Sequence, residues 1–459
     1  MTVPCRPGTL LPWGRELALG FFRRLPLVYL IWGIAVGLTV AWITPPWQVP
    51  DETNHFLRMA QVSSGGMIGR KFVAEGLVGG MLDPGILASV APYSGVPFHL
   101  EQKDTLSREH EARQWRWSGR SAPLPFGNTA VYPPVFYLPG ALSLIPARLA
   151  GGSIVASLLL ARAVDVLVGS LLIAIGLHLS CRTRPVLLAL AVLPMNVALM
   201  ASASQDSLLL ASLLLAVGWI DRLVAENRPP ARWELGVLMV ILVSSVMARP
   251  THLFLLGLVA LACPRRRGTA WAMGLGACCI IGWIVLIVPI MPHFPWSDPG
   301  AQLRGLLSHP LDIPRLAIRT LREHGPGYPE QFIGKLGWLD TALPVWFCRL
   351  AWVVLGGAFL SVAAGAAWRP WAAAGMVVLG VVATFGAEYL AWTPVGKPVI
   401  DGVQGRYFLP FAAVLALAVP GFPAVGRRVL PWALAGVLIL MLLVPPVMLR
   451  SLVLRYYLG

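Results

Sequence analysis

The sequence predicts an all-α integral membrane protein, with about eleven transmembrane helices and a large first extracytoplasmic loop carrying interfacial helices. Three observations predict it. The chain is 57% hydrophobic and only 12% charged over 459 residues, too apolar for a soluble domain. Apolar runs long enough to cross a bilayer recur at about 25–43, 153–178, 185–203, 205–223, 234–249, 250–263, 269–291, 345–366, 371–392, 406–423 and 429–449. Arginines in the short connections mark every second one.

Those arginines set the orientation, because basic residues in short loops stay on the cytoplasmic side. The N-terminal segment 1–24 carries Arg6, Arg15, Arg23 and Arg24. The later members of the set are Arg182 and Arg184, Arg222 with Arg228 and Arg232, Arg265 to Arg267, Arg369, and Arg427 with Arg428. The first span, 25–43, has no small-residue cleavage site and reads as a retained helix. The segments 44–152, 292–344 and 393–405 then fall outside the cytoplasm, separated by the bundle 153–291 and the C-terminal helices within 345–459. For this parity to hold, 133–149 lies at the outer surface as a short helix and does not cross.

The net charge of +15 fits loop anchoring and anionic headgroups, not nucleic acid. The six cysteines have neither CxxC spacing nor pairing in a large loop, which argues against a disulfide framework or a zinc site. No nucleotide-binding glycine loop and no HExxH or GxSxG motif is present.

The chemistry concentrates where the chain first leaves the lipid. Pro50 presets its own φ, and Asp51 can open a helix with a carboxylate in its first turn. If 51–63 is helical, Asp51, His55 and Arg58 share one face. An acid, an imidazole and a guanidinium so placed can take a proton and hold an anion. The other reading is a capped interfacial helix with a solvated charged face.

Further along, the first outer segment carries Trp115 and Trp117 interleaved with Arg113 and Arg116, a mixture suited to sugar rings or headgroups and equally to an amphipathic helix resting on lipid. His293, His309 and His324 in the second outer segment lack ligand spacing. Arg162 and Asp165 sit one helical turn apart and read as a pair. Asp206 opens a span and reads equally well as an N-cap or a site residue. Arg249-Pro250 joins two spans without a loop, a natural place for a guanidinium that holds a lipid phosphate or simply snorkels to the headgroups. Glu388 lies near the outer end of its span.

Four signatures together resemble a bacterial multipass membrane protein family of formerly unknown function. They are Pro50-Asp51-Glu52-x-x-His55-x-x-Arg58, Tyr132-Pro-Pro-x-x-Tyr137-Leu-Pro, Leu193-Pro-Met-x(6)-Ser202-x-Ser204-x-Asp206, and Gly337-Trp338-Leu-Asp340-Thr with Gln404-Gly-Arg406-Tyr407. The likeness spans residues 20 to 450 and is similar in plan to the GT-C glycosyltransferases, such as the protein mannosyltransferases and the aminoarabinose transferases of lipid A.

That resemblance implies sugar transfer from a polyprenyl-phosphate carrier to a cell-envelope glycan, lipid or protein, at the outer face of a bacterial inner membrane. It implies catalytic roles for Asp51, Glu52 and His55. Donor-phosphate contacts fall to Arg58, Arg249, Arg406 and Lys335. Sugar or acceptor contacts fall to Tyr132, Asp206, Trp338, Asp340, Gln404 and Tyr407. The resemblance makes no cofactor certain. A divalent metal (Mg or Mn) at Asp51 stays open, although the Asp-Glu pair departs from the Asp-x-Asp pattern and adjacent helical residues diverge by about 100°. The other class is a non-enzymatic lipid-linked-glycan transporter or envelope scaffold.

Overall fold

A computed structural model describes residues 12–72, 77–262, 267–291, 294–362, 369–419 and 423–458. Arg6, Arg265, Arg266 and His293 lie outside the described residues, as do Cys5 and Cys263.

The chain is mostly helical. It begins with α1 (Pro12–Ile43) and a short α2 (Glu52–Ser63). The rest of the first long loop holds α3 (Gly85–Val90), α4 (Leu106–Arg113), α5 (Gly127–Ala130) and α6 (Leu138–Leu149). The loop also holds strands that the all-α expectation missed. β1 (Arg70–Phe72), β2 (Leu77–Leu82) and β3 (Ala122–Pro125) form an antiparallel sheet in that order. The reason is local: Gly79 faces Pro125, and a Cβ there would sit 1.9 Å from Leu124 O, so glycine permits a strand pairing that composition does not advertise. A two-residue pair, β4 (Lys335–Leu336) with β5 (Thr341–Ala342), forms later around Gly337, whose φ is +59°.

The bundle follows with α7 (Ile154–Leu179), α8 (Arg184–Ala191), α9 (Pro194–Met200), α10 (Gln205–Ala225) and α11 (Arg232–Ala248). After a 3₁₀ turn at Pro250–Leu256 come α12 (Gly257–Ala262) and α13 (Arg267–Ile287). The second long connection folds as α14 (Pro299–Ser308), α15 (Asp312–Glu323) and α16 (Tyr328–Gly334). The chain ends with α17 (Val345–Leu360), α18 (Arg369–Ala391), α19 (Leu409–Ala418) and α20 (Pro423–Tyr456).

Six of these are long and apolar enough to cross a membrane: α1, α7, α10, α13, α18 and α20. The other apolar runs are shorter or broken. Pro194 starts a new helix within 185–203, and Pro250 ends α11 by forcing Arg249 extended at φ −139° and ψ 99°. The segment 133–149 forms a 3₁₀ turn and the twelve-residue α6, packed on α2 and α7. The centre of the bundle is the α7–α10 crossing. A Cβ on Gly218 would lie 2.2 Å from Gly176 O, so two glycines let the backbones nearly touch.

Several helix ends converge at one end of this bundle. Arg455 near the end of α20 donates to Asp340 at 2.7 Å, and Ala203 N, just before α10, donates to Glu52 at 3.1 Å. This gathers the residues of the candidate site.

A charged candidate active site at one end of the bundle

Asp51 caps α2 in the left-handed conformation, φ 61° and ψ 4°, which aspartate tolerates better than most residues. Its carboxylate makes no cap hydrogen bond and is 39% exposed. The guanidinium that meets it comes from Arg406, whose Nη2 lies 3.4 Å from Asp51 Oδ2. Arg406 is only 6% exposed, and its buried Nε has no hydrogen-bond partner. An orphaned buried guanidinium N–H beside an open carboxylate is the feature of this site that packing leaves unexplained.

Arg249, at the end of α11, takes the neighbouring place. Its Nη2 spans both oxygens of Asp206, at 2.6 and 2.8 Å. Asp206 is held at the start of α10, where Ser204 caps its N–H at 3.2 Å. Tyr407 lies against both cations, with Arg249 4.8 Å and Arg406 5.6 Å from its ring centre. The Gln404 Oε1 is a second buried polar atom without a partner in this turn.

His55 is buried beneath this layer. Its Nδ1 is 2.6 Å from the Tyr137 hydroxyl, and its ring stacks on Tyr132 at 6.1 Å. Burial pushes its pKa below the ordinary imidazole value. Asp206 and Asp51 oppose that shift, whereas Arg406 and Arg249 add to it, so His55 sits in the field of all four charges.

Arg406 also lines a narrow cleft of about 20 Å³. Lys335, Thr44 and Pro50 line its polar part, and Lys335 forms no ion pair among the described residues. Its apolar wall includes Val40 of α1, Leu199 of α9, Leu339 and Leu452 of α20. Two of those helices are candidate spans. Two cationic side chains, Arg406 and Lys335, thus line a narrow, mostly apolar slot between spans.

Several sequence expectations need correction. Glu52 is not beside Asp51 in function: it is fully buried and ion-paired with Arg162 at 2.6 Å. Arg162 therefore does not pair with Asp165. It spends its remaining donors on Ala41, Thr44 and Pro45 carbonyls. Arg58 does not hold a ligand either. It is fully buried and bonded to Tyr132 O, Gly66 O, Met67 O and the Gln61 amide oxygen. It pins the turn after α2, whose irregular backbone leaves carbonyls for a five-donor side chain to satisfy.

Asp340 is likewise occupied, accepting from Arg455 and from Phe98 N at 3.1 Å. Trp338 donates to Trp47 O at 3.2 Å and meets Phe98 edge-on, apart from the charged layer. Glu52 holds Arg162 and Asp206 holds Arg249, and no group of three His, Cys, Asp or Glu side chains is placed to hold a metal ion among the described residues. Sequence reasoning passed over Arg455 and gave Arg162 the wrong partner, and Tyr137 entered only as part of a motif.

The fold and site define a helical membrane protein with a cationic cleft at one end of its bundle. The chain belongs to the predicted membrane protein family DUF2142, whose model matches residues 34–415. No curated protein and no solved structure matches it.

Proposed function

We propose that this cleft is the active site of a GT-C-type glycosyltransferase. It moves a sugar from a polyprenyl-phosphate carrier to a cell-envelope acceptor, at the extracytoplasmic face of a bacterial inner membrane crossed about eleven times. The observation that carries the reading is Arg406: a buried guanidinium with an unused N–H, between the open Asp51 carboxylate and a cleft shared with Lys335.

In this reading the narrow slot widens to take the carrier: its isoprenoid tail lies along Val40, Leu339 and Leu452, and its phosphate rests between Arg406 and Lys335. Asp51 accepts the proton of an acceptor hydroxyl as that oxygen attacks the anomeric carbon. The bond from that carbon to the phosphate oxygen breaks, and its electron pair leaves on the phosphate. Arg406 and Lys335 offset the charge that gathers there. The Asp206–Arg249 pair keeps Tyr407 in place beside Arg406, and Gln404 offers an acceptor to a sugar hydroxyl. Glu52, Arg58 and Asp340 hold the scaffold.

Purified protein in lipid, incubated with a panel of polyprenyl-phosphate sugars and envelope acceptors, tests this. The expected result is enzyme-dependent loss of sugar from one carrier. Intact carriers throughout, with folded protein, would remove the proposal.

A further inference from the structure

α15 leaves much of its surface without a protein partner. Its inward face is narrow. Leu316 packs beside Tyr328, Ile400 and Val403, and Thr320 Oγ1 accepts the Ile400 N–H at 2.9 Å. Next to that face Ile313, Ile318 and Leu321 are 47, 50 and 55% exposed, and Leu311 just before the helix is 82% exposed. At about 100° per residue they form one arc, with Arg315, Arg319 and Arg322 on the flank beyond it. Arg315 pairs with Asp312 at 2.7 Å, and Arg319 and Arg322 have no ion pair among the described residues.

α14 extends the same surface, with Leu303 and Leu307 at 47 and 73% exposure. Its position is fixed by Gln302, whose amide donates to the Tyr389, Thr393 and Pro394 carbonyls where the candidate span α18 ends. α14 thus sits beside the end of a candidate span. A water-facing position would expose six large aliphatic side chains together, whereas lipid would cover them.

We infer that α14 and α15 dock on the surface of the membrane that the chain spans. The aliphatic arc enters the acyl boundary, and Arg319 and Arg322 bind the phosphates of anionic phospholipids. The inward face then matters to the cleft. Thr320 of α15 holds Ile400, so the docked helices steady the segment that leads to Arg406. The inference stands on exposure and charge and does not rest on the transferase reading.

The test uses full-length protein in nanodiscs, with native cysteines replaced and a fluorophore on Ile318→Cys or, as control, on Glu323→Cys. Brominated acyl chains should quench the label at 318 at least three-fold more than the label at 323. Adding anionic phospholipid should strengthen that quenching, and Arg319→Gln with Arg322→Gln should abolish the increase. Equal weak quenching at both positions would overturn the inference. So would quenching at 318 that ignores anionic lipid, or shielding that follows protein per disc, which would indicate a second copy.

Discussion

Replacing Glu52 with glutamine removes one charge from a pair that water does not reach. Both side chains are fully buried. Glu52 accepts from Arg162 Nε at 2.8 Å and Nη2 at 2.6 Å, and from Ala203 N at 3.1 Å. Glutamine keeps one acceptor oxygen and turns an amide N–H₂ toward a donor. One charge-assisted hydrogen bond of about 1.5–3 kcal/mol is lost, and the guanidinium is left uncompensated. Breaking a buried pair costs about 3–5 kcal/mol. That is roughly two to three and a half powers of ten in the folding equilibrium. Thermal unfolding in nanodiscs, followed by tryptophan emission, reads the loss as a lowered midpoint. Pairing Glu52→Gln with Arg162→Met should recover part of it, since no charge is then stranded. An unchanged midpoint with lost activity would refute the structural assignment and return Glu52 to the chemistry.

Three other outcomes follow from the same geometry. Arg249→Met strands Asp206 and takes a cation from Tyr407, so stability should drop by about 1–3 kcal/mol, whereas Arg249→Lys should drop it less; equal effects would dismiss the two-oxygen contact. Arg58→Met leaves the Tyr132, Gly66 and Met67 carbonyls without their donor, so limited proteolysis should cut first within 64–69, and unchanged cleavage would contradict its pinning role. His55 is held below its unfolded pKa of about 6.5, so the folded state binds fewer protons around that pH. Its contribution to stability is therefore present above about 6.5 and fades as pH falls. The wild-type midpoint should decline on acidification, and His55→Gln should flatten the decline; parallel slopes would exclude His55.

Much of the helical plan was legible because apolar length is a strong local signal. Six of the apolar runs became helices long enough to span, and Asp51, Asp206, Arg249, Arg406 and Tyr407 were each marked by a charge or aromatic ring beside a span end. Their partners were not legible. Spacing placed Asp51, His55 and Arg58 on one face, yet the start of α2 at Glu52 and the left-handed Asp51 separate them. His55 goes to Tyr137, and Arg58 to loop carbonyls. Which arginine reaches a carboxylate depends on contacts hundreds of residues apart, such as Asp51 with Arg406. Glu52 with Arg162 was hidden for the same reason: Asp165 offered a nearer and plausible partner on the same helix. The small sheet escaped because its strands are short and rich in glycine and proline, which weakens the alternating pattern a strand would show.

The most direct measurement is sugar transfer from polyprenyl-phosphate donors by three proteins in proteoliposomes: wild type, Asp51→Asn and Arg406→Gln. Asparagine accepts the same left-handed backbone, so the first variant should stay folded and lose transfer. The second should bind carrier more weakly and turn over at least tenfold more slowly. Transfer by Asp51→Asn at the wild-type rate, or none by folded wild type with any donor, would contradict the account.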